Sequence, residues 1–277
     1  MTCHMNTVPN LTDRTALLRH RTRAAGAPAD FLHLEAIAEV KDRLAMVNRS
    51  FTEMTIVTGH PKVWGTAFPQ AHIVADDDVL DVQPESRDLV VHAMCLHWAN
   101  DPVGQLIQCR RALRPDGLLL AVSFGGDTLS ELRACLSQAE IAVSGGLSPR
   151  IAPMGEIRDM GSLLQRAGLA MPVADGLPLQ VEYRDLIHLM HDLRAMGETN
   201  ALDQRHRKPA PHALFTEAQR LYAEHFPGAD SRIKATFELL FLSGWAPDES
   251  QPKPLRPGSA SHSLAAALGT NENPLKD

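Results

Sequence analysis

The segment Leu118-Leu119-Leu120-Ala121-Val122-Ser123-Phe124 limits the fold of this chain more than any other stretch. A strand that is apolar on both faces belongs in the middle of a sheet, with helices covering each side. Asp101-Pro102 supplies an N-cap and a first-turn proline for the helix before it. That helix carries Leu106, Ile107, Cys109, Arg110 and Leu113 and ends before the turn Arg114-Pro115-Asp116-Gly117. Thr128-Leu129-Ser130-Glu131 has the form of a capping box and opens a helix to about Val143.

The same alternation extends both ways. Thr55-Ile56-Val57, His72-Ile73-Val74-Ala75 and Asp88-Leu89-Val90-Val91 read as short buried strands. A helix starting at Pro61 and running through Trp64 and Phe68 lies between the first two. Upstream, Leu11 to Ala25 reads as an amphipathic helix with Leu17 and Leu18 facing in. A second helix spans 30–49, capped by Asp30, with Phe31, Leu34, Ile37, Ala38, Val40 and Leu44 at near-helical spacing. Downstream come a helix over about Met154 to Ala167 stopped by Gly168, strands at 169–174 and 178–183 broken by Asp175-Gly176, and helices at about 185–196 and 212–225. Phe237 to Leu242 is the last strand. Strands alternating with helices predict an α/β fold, a doubly wound and mostly parallel sheet. The expected organisation is N-terminal helices over 1–50, an α/β domain over 51–245 with a helical cap at about 178–232, and a mobile tail over 246–277 that is rich in Pro, Ser and charge.

Composition narrows the function classes. A net charge of −6 argues against a dedicated nucleic-acid binder. No apolar run approaches the roughly 18 residues of a membrane span. Cys3, Cys95, Cys109 and Cys135 form no C-x-x-C pair, which fits a reducing cytoplasm and neither a zinc knuckle nor a redox motif. Arg14, Arg19, Arg21 and Arg23 could serve an organellar transit peptide, but a helix packed on the domain is the preferred reading.

Ligands of doubly wound sheets bind outside the carboxyl ends of the strands. That rule gathers Gly59, Asp76, Asp77, Asp78, His97, Trp98 and the segment Phe124 to Thr128 around one crevice. Asp76 and Asp77 are candidates for ribose or adenine contact, against a solvated turn. His97-Trp98 is a crevice wall, against a buried strand end. Gly126, Asp127 and Thr128 line a substrate or partner site, against a plain cap and turn. Glu198 and Asn200, in the joint of the cap, are expected to point inward. His188 and His191 have metal-compatible spacing without a third ligand, so no metal is expected.

At Arg110-Arg111-Ala112-Leu113-Arg114-Pro115-Asp116-Gly117 the chain resembles class I methyltransferases, where a helix and a Leu-x-Pro-x-Gly turn precede the fifth strand. Asp88 to Val91 followed by Leu96-His97-Trp98-Ala99-Asn100-Asp101 resembles the malonyl-carrier-protein methyltransferase of biotin synthesis. Phe124-Gly125-Gly126-Asp127-Thr128-Leu129-Ser130-Glu131-Leu132-Arg133, Met196-Gly197-Glu198-Thr199-Asn200 and Gly244-Trp245-Ala246-Pro247 resemble the mitochondrial complex I assembly factor of methyltransferase fold, thought to hydroxylate an arginine. The resemblance covers about residues 13 to 260. It implies a Rossmann-like methyltransferase fold, S-adenosylmethionine as cofactor, and a protein or carrier-bound acid as substrate, such as a respiratory-complex subunit.

The chain departs from that pattern where the cofactor loop belongs. Ile56-Val57-Thr58-Gly59-His60-Pro61 keeps one glycine, and Pro61 lacks a backbone donor. Gly59 and Asp76 stand only 17 positions apart, room for one crossover rather than two. The sheet is therefore expected to have fewer than seven strands, with a shortened N-terminal half. Three functions stay open: a methyltransferase, a non-methylating assembly factor or arginine hydroxylase of the same fold, and an inactive binding protein. No residue is assigned a chemical step, and the oligomeric state is not specified.

Overall fold

A computed structural model describes residues 9–252, 265 and 268–270. It divides into two units, one through Pro247 and one from Asp248. Most of the expected tail, 246–277, lies outside the described residues, as does Cys3.

Six strands form one sheet among the described residues, in the order β2-β1-β3-β4-β6-β5. They are β1 (Met54–Thr58), β2 (His72–Val74), β3 (Arg87–Ala93), β4 (Leu113–Phe124), β5 (Ala170–Tyr183) and β6 (Ile233–Trp245). The first four run parallel, and β6 is antiparallel to both β4 and β5. Only the seven-residue helix α3 (Pro61–Ala67) and the three-residue β2 separate β1 from the strand β3 beside it. The expected shortening of the N-terminal half is thus present.

The apolar run of β4 lies at the sheet centre, between β3 and β6. Leu118, Leu120, Val122 and Phe124 face one layer; Leu119 and Ala121 face the other. The first layer holds α2 (Phe31–Met46), α5 (Ser130–Ser144), α7 (Leu186–Met196) and α8 (His212–His225). The second holds α4 (Pro102–Ala112) and α6 (Ile157–Arg166). Each fully buried leucine contributes about 1.5–3 kcal/mol, so both layers draw on one strand. Asp101 caps α4 by accepting from the Gly104 amide at 2.8 Å. Gly145 and Gly168, at φ +71° and +78°, end α5 and α6 in the left-handed conformation that suits glycine.

Several local expectations need correction. In α1 (Arg14–Ala24) Leu17 is buried, but Leu18 is half exposed because the adjacent position turns off the inner face. The inner face of α2 is Leu32, His33, Ala36, Ile37 and Val40, while Phe31 and Leu34 are exposed. Asp30 receives no side-chain capping bond. The strands expected at 169–174 and 178–183 are one continuous strand, in which Asp175 and Gly176 pair with Phe241 and Leu240. Residues 178–183 therefore belong to the sheet, and the helical segment begins at Leu186. The Pro-Asp-Gly turn is a bulge at the start of β4: Arg87 pairs with Leu113, but Leu89 pairs with Leu118.

The capping box does not form. Leu129 precedes α5 in a left-handed conformation at φ +55°. Thr128 and Glu131 turn to β6 instead. The Thr128 hydroxyl accepts from the Glu238 amide at 3.1 Å and donates to its carbonyl at 3.2 Å. Glu131 accepts from the Thr236 amide and hydroxyl.

Candidate functional site

The parallel ladders bring the ends of β1, β2, β3 and β4 to one edge. Val57 pairs with Val74, Thr58 with Ala93, and Ala93 with Val122. Gly59, Asp76 and the short 3-10 turn Leu96–Trp98 follow directly from these ends. Met94, between β3 and that turn, is buried with φ +54°. A non-glycine residue held there costs about 1–2 kcal/mol, a kind of strain that clusters at functional sites.

Two arginines from α1 enter this crevice. Arg14 and Arg21 stand seven positions apart, two turns along one helical face. The Arg21 Nη1 donates to both carboxylate oxygens of Asp76, at 2.8 and 2.9 Å. Arg14 donates to the same carboxylate at 3.2 Å and to the Asp76 carbonyl at 2.7 Å. Burial works to raise the Asp76 pKa, but the two guanidiniums overcome it and hold the carboxyl at about 2. Arg21 also lies flat on Gly59: a Cβ there would come within 2.1 Å of its Cζ. Its Nε and Nη2 are buried without a hydrogen-bond partner among the described residues. Asp77 is peripheral, with an exposed side chain reached by Arg14 at 3.4 Å. Asp78 contributes only its carbonyl, which accepts from Gln108 at 2.9 Å.

The opposite wall comes from the joint after α7. Glu198 accepts from the Trp98 indole at 2.7 Å and meets His97 Nε2 at 3.2 Å. Burial would raise the Glu198 pKa, but His97, Arg21 and His60 outweigh it and keep the carboxyl at about 2. Gly197, at φ +81°, sets this turn against α1, with the Arg21 Cα 3.3 Å from where a Cβ would stand. His33 and His60 pack tilted against each other, with ring centroids 4.2 Å apart. Burial lowers the pKa of both, that of His33 to about 3. His33 Nδ1 accepts from the Trp64 indole at 3.1 Å. The inward placement of Glu198 is present. Asn200 instead ties the joint, donating to the Pro149 carbonyl at 2.8 Å and accepting from the Leu202 amide at 3.0 Å.

Beyond β4 the glycines make room for the protein's own carboxylates. A Cβ on Gly125 would meet Glu238, and one on Gly126 would meet Glu156. Asp127 is exposed, and its amide donates to Glu238 at 3.1 Å. Gly126 and Asp127 thus neighbour Glu156 and Glu238. Thr128 instead borders a cavity of about 350 Å³ that also touches Trp98, Glu198 and Asn200.

His188 packs edge-on against Tyr183, at 5.6 Å. Among the described residues no group of three or more His, Cys, Asp or Glu could hold a metal ion. Cys95, Cys109 and Cys135 are buried and free, with thiol pKa values raised by burial. Among the described residues no helix is long and apolar enough to cross a membrane. Sequence reasoning missed Arg14, Arg21, His33 and His60 as site residues. The seven-residue spacing of the two arginines, matched to an isolated acidic run at a strand end, was the signal available.

Known proteins agree with this architecture. A family described as a methyltransferase domain matches residues 36–121. The mitochondrial arginine-hydroxylase NDUFAF5 of Danio rerio is 36% identical over 197 residues, 71% of this chain and 61% of that protein. This chain spans between 45% and 61% of the length of five such arginine-hydroxylase relatives. The malonyl-[acyl-carrier protein] O-methyltransferase of Xylella fastidiosa is 35% identical over 179 residues, 65% of this chain and 58% of that protein. The candidate methyltransferase RP459 of Rickettsia prowazekii is 32% identical over 162 residues, 58% of this chain and 72% of that protein. Among solved structures, the YcgJ protein of Bacillus subtilis superposes with a TM-score of 0.50 at 9% identity, over 78% of this chain and all of that one, a likeness of fold. With its strand-end crevice and its kinship to both groups, the chain belongs to the class I methyltransferase-fold family.

Proposed function

We propose that this chain is an S-adenosylmethionine-dependent methyltransferase-family protein that binds its cofactor at the ends of β1, β2 and β3. The observation that carries the reading is the convergence of Gly59 and the buried Asp76 and Trp98 on one edge of the sheet. Asp76 would accept from the ribose hydroxyls, Gly59 would let the methionine portion approach the backbone, and Trp98 would wall the crevice. When bound, the group supplies an electrophilic methyl on a sulfonium; the protein's part is to hold and align it.

The fit is right in kind and contested in space. Arg21 stands over Gly59 and takes both oxygens of Asp76. Binding therefore requires that guanidinium to move. Its two unpartnered nitrogens make its present place costly, at about 1–3 kcal/mol for each buried group left unsatisfied. Arg21 is thus a displaceable occupant of the crevice. The relatives named for methyl transfer support the activity. The three described cysteines, free and buried, are compatible with a reducing cytoplasm, where we place the protein.

A second reading is favoured by the 36% identity to an arginine hydroxylase. In it the chain acts as a non-methylating assembly factor on a protein substrate such as a respiratory-complex subunit. Mass spectrometry of a modified substrate separates the two, since one adds a methyl and the other an oxygen.

The first test is stabilisation by S-adenosylhomocysteine. At a hundredfold excess over its dissociation constant, ligand should add about 2.7 kcal/mol to the unfolding free energy. No rise in melting temperature and no calorimetric heat at millimolar ligand would remove the cofactor from the account.

A further inference from the structure

The cavity beside the crevice has a chemistry of its own. It lies between the sheet end, α5 and the helices α7 and α8, and its volume of about 350 Å³ suits a small molecule. Phe124, Leu132, Met190, Phe215 and Phe237 form an apolar interior. Its mouth is cationic, with Arg23, Arg150, Arg194 and Arg205, beside the neutral imidazole of His20. Arg150 is paired with Glu140 and Arg205 with Asp13. Arg23 and Arg194 have no acidic partner among the described residues. His20 Nδ1 is buried without a hydrogen-bond partner among the described residues. The one carboxylate in the lining, Glu198, is already engaged by Trp98 and His97. A cationic side chain entering here would meet two unpaired guanidiniums.

We propose that this cavity binds a small amphipathic anion, a single apolar chain or ring ending in one carboxylate or phosphate. The apolar body replaces water against the phenylalanines and leucines. The charged end stays at the mouth, where Arg23 and Arg194 offer forked donors to a planar or tetrahedral anion. The cavity shares Trp98 and Glu198 with the cofactor crevice. Its role as the acceptor pocket rests on the methyl-transfer reading; the binding itself does not.

Calorimetric titration of the full chain with decanoate, decyl phosphate and decanol, each below its aggregation limit, tests the inference. At least one of the two anions should bind tenfold or more tighter than decanol, and the ranking of the two distinguishes carboxylate from phosphate. The exposed pair of substitutions Arg23→Gln and Arg194→Gln should erase that difference and leave decanol unchanged. Leu132→Trp, which fills the interior, should abolish all binding in protein that still melts cooperatively. Equal affinity for decanol and both anions, or no binding by folded protein, overturns the inference. S-adenosylhomocysteine titrated in parallel separates the two claims. If it binds and the alkyl anions do not, only the pocket inference fails. If the anions bind and it does not, only the cofactor reading fails.

Discussion

At the residue scale the account turns on Asp76. Sequence placed it at a strand end as a candidate for cofactor contact, and it is buried just past β2. Its partners were not legible. Arg21 lies 55 positions upstream in an arginine-rich helix, and only the packing of α1 across the strand ends turns two of its arginines inward. His60 stands in the cofactor loop, but its ring contact with His33 needs the path of α2, which no spacing rule supplies. The pairing predicts an asymmetric response. Asp76→Asn leaves the Arg21 guanidinium buried without its countercharge and should cost about 3–5 kcal/mol of unfolding free energy. Urea unfolding of the two proteins measures it. A loss under about 1 kcal/mol would mean that the pair is solvated and the crevice open.

Among the elements, legibility followed the strength of the periodic signal. Helices at 185–196 and 212–225 match α7 and α8 to within a residue, because an apolar face marks both. Asp185 accepts from the His188 amide at 2.7 Å, as an N-cap should. β5 was read as two strands because Asp175-Gly176 is a common turn pair; in the sheet, partners on β6 satisfy both residues and the turn signal loses. The start of α5 failed for the same reason. Thr128 and Glu131 have the spacing of a capping box, yet tertiary hydrogen bonds to β6 outcompete the local ones. Thr128→Ala removes two bonds to the Glu238 backbone and should destabilise by about 1–2 kcal/mol. Thr128→Ser, which keeps the hydroxyl, should restore most of that. If the alanine variant is neutral, the hydroxyl does not fasten α5 to the sheet.

For the whole molecule, the shortened first half followed from counting residues between Gly59 and Asp76. The closure of α1 over the crevice did not, since it depends on contacts between segments far apart in sequence. Folding buries histidines in their neutral form. The pKa values of His20, His33, His60 and His92 are lowered mainly by burial, that of His33 from 6.5 to about 3. Groups depressed on folding give their full stabilisation above the unfolded value and lose it as pH falls below it. His33 alone should remove about 2 kcal/mol between pH 7 and pH 5, a window in which Asp76, held at about 2, still contributes fully. Chemical denaturation at the two pH values checks this, and an unchanged midpoint would place those imidazoles in water. The central claim is that the crevice is a cofactor site whose occupant is the protein's own Arg21. Calorimetric titration of S-adenosylhomocysteine into the wild-type chain and into Arg21→Ala tests it most directly. Clearing Gly59 and freeing one partner of Asp76 should tighten binding at least tenfold in the variant. Affinity that is unchanged or weaker in Arg21→Ala would contradict the account.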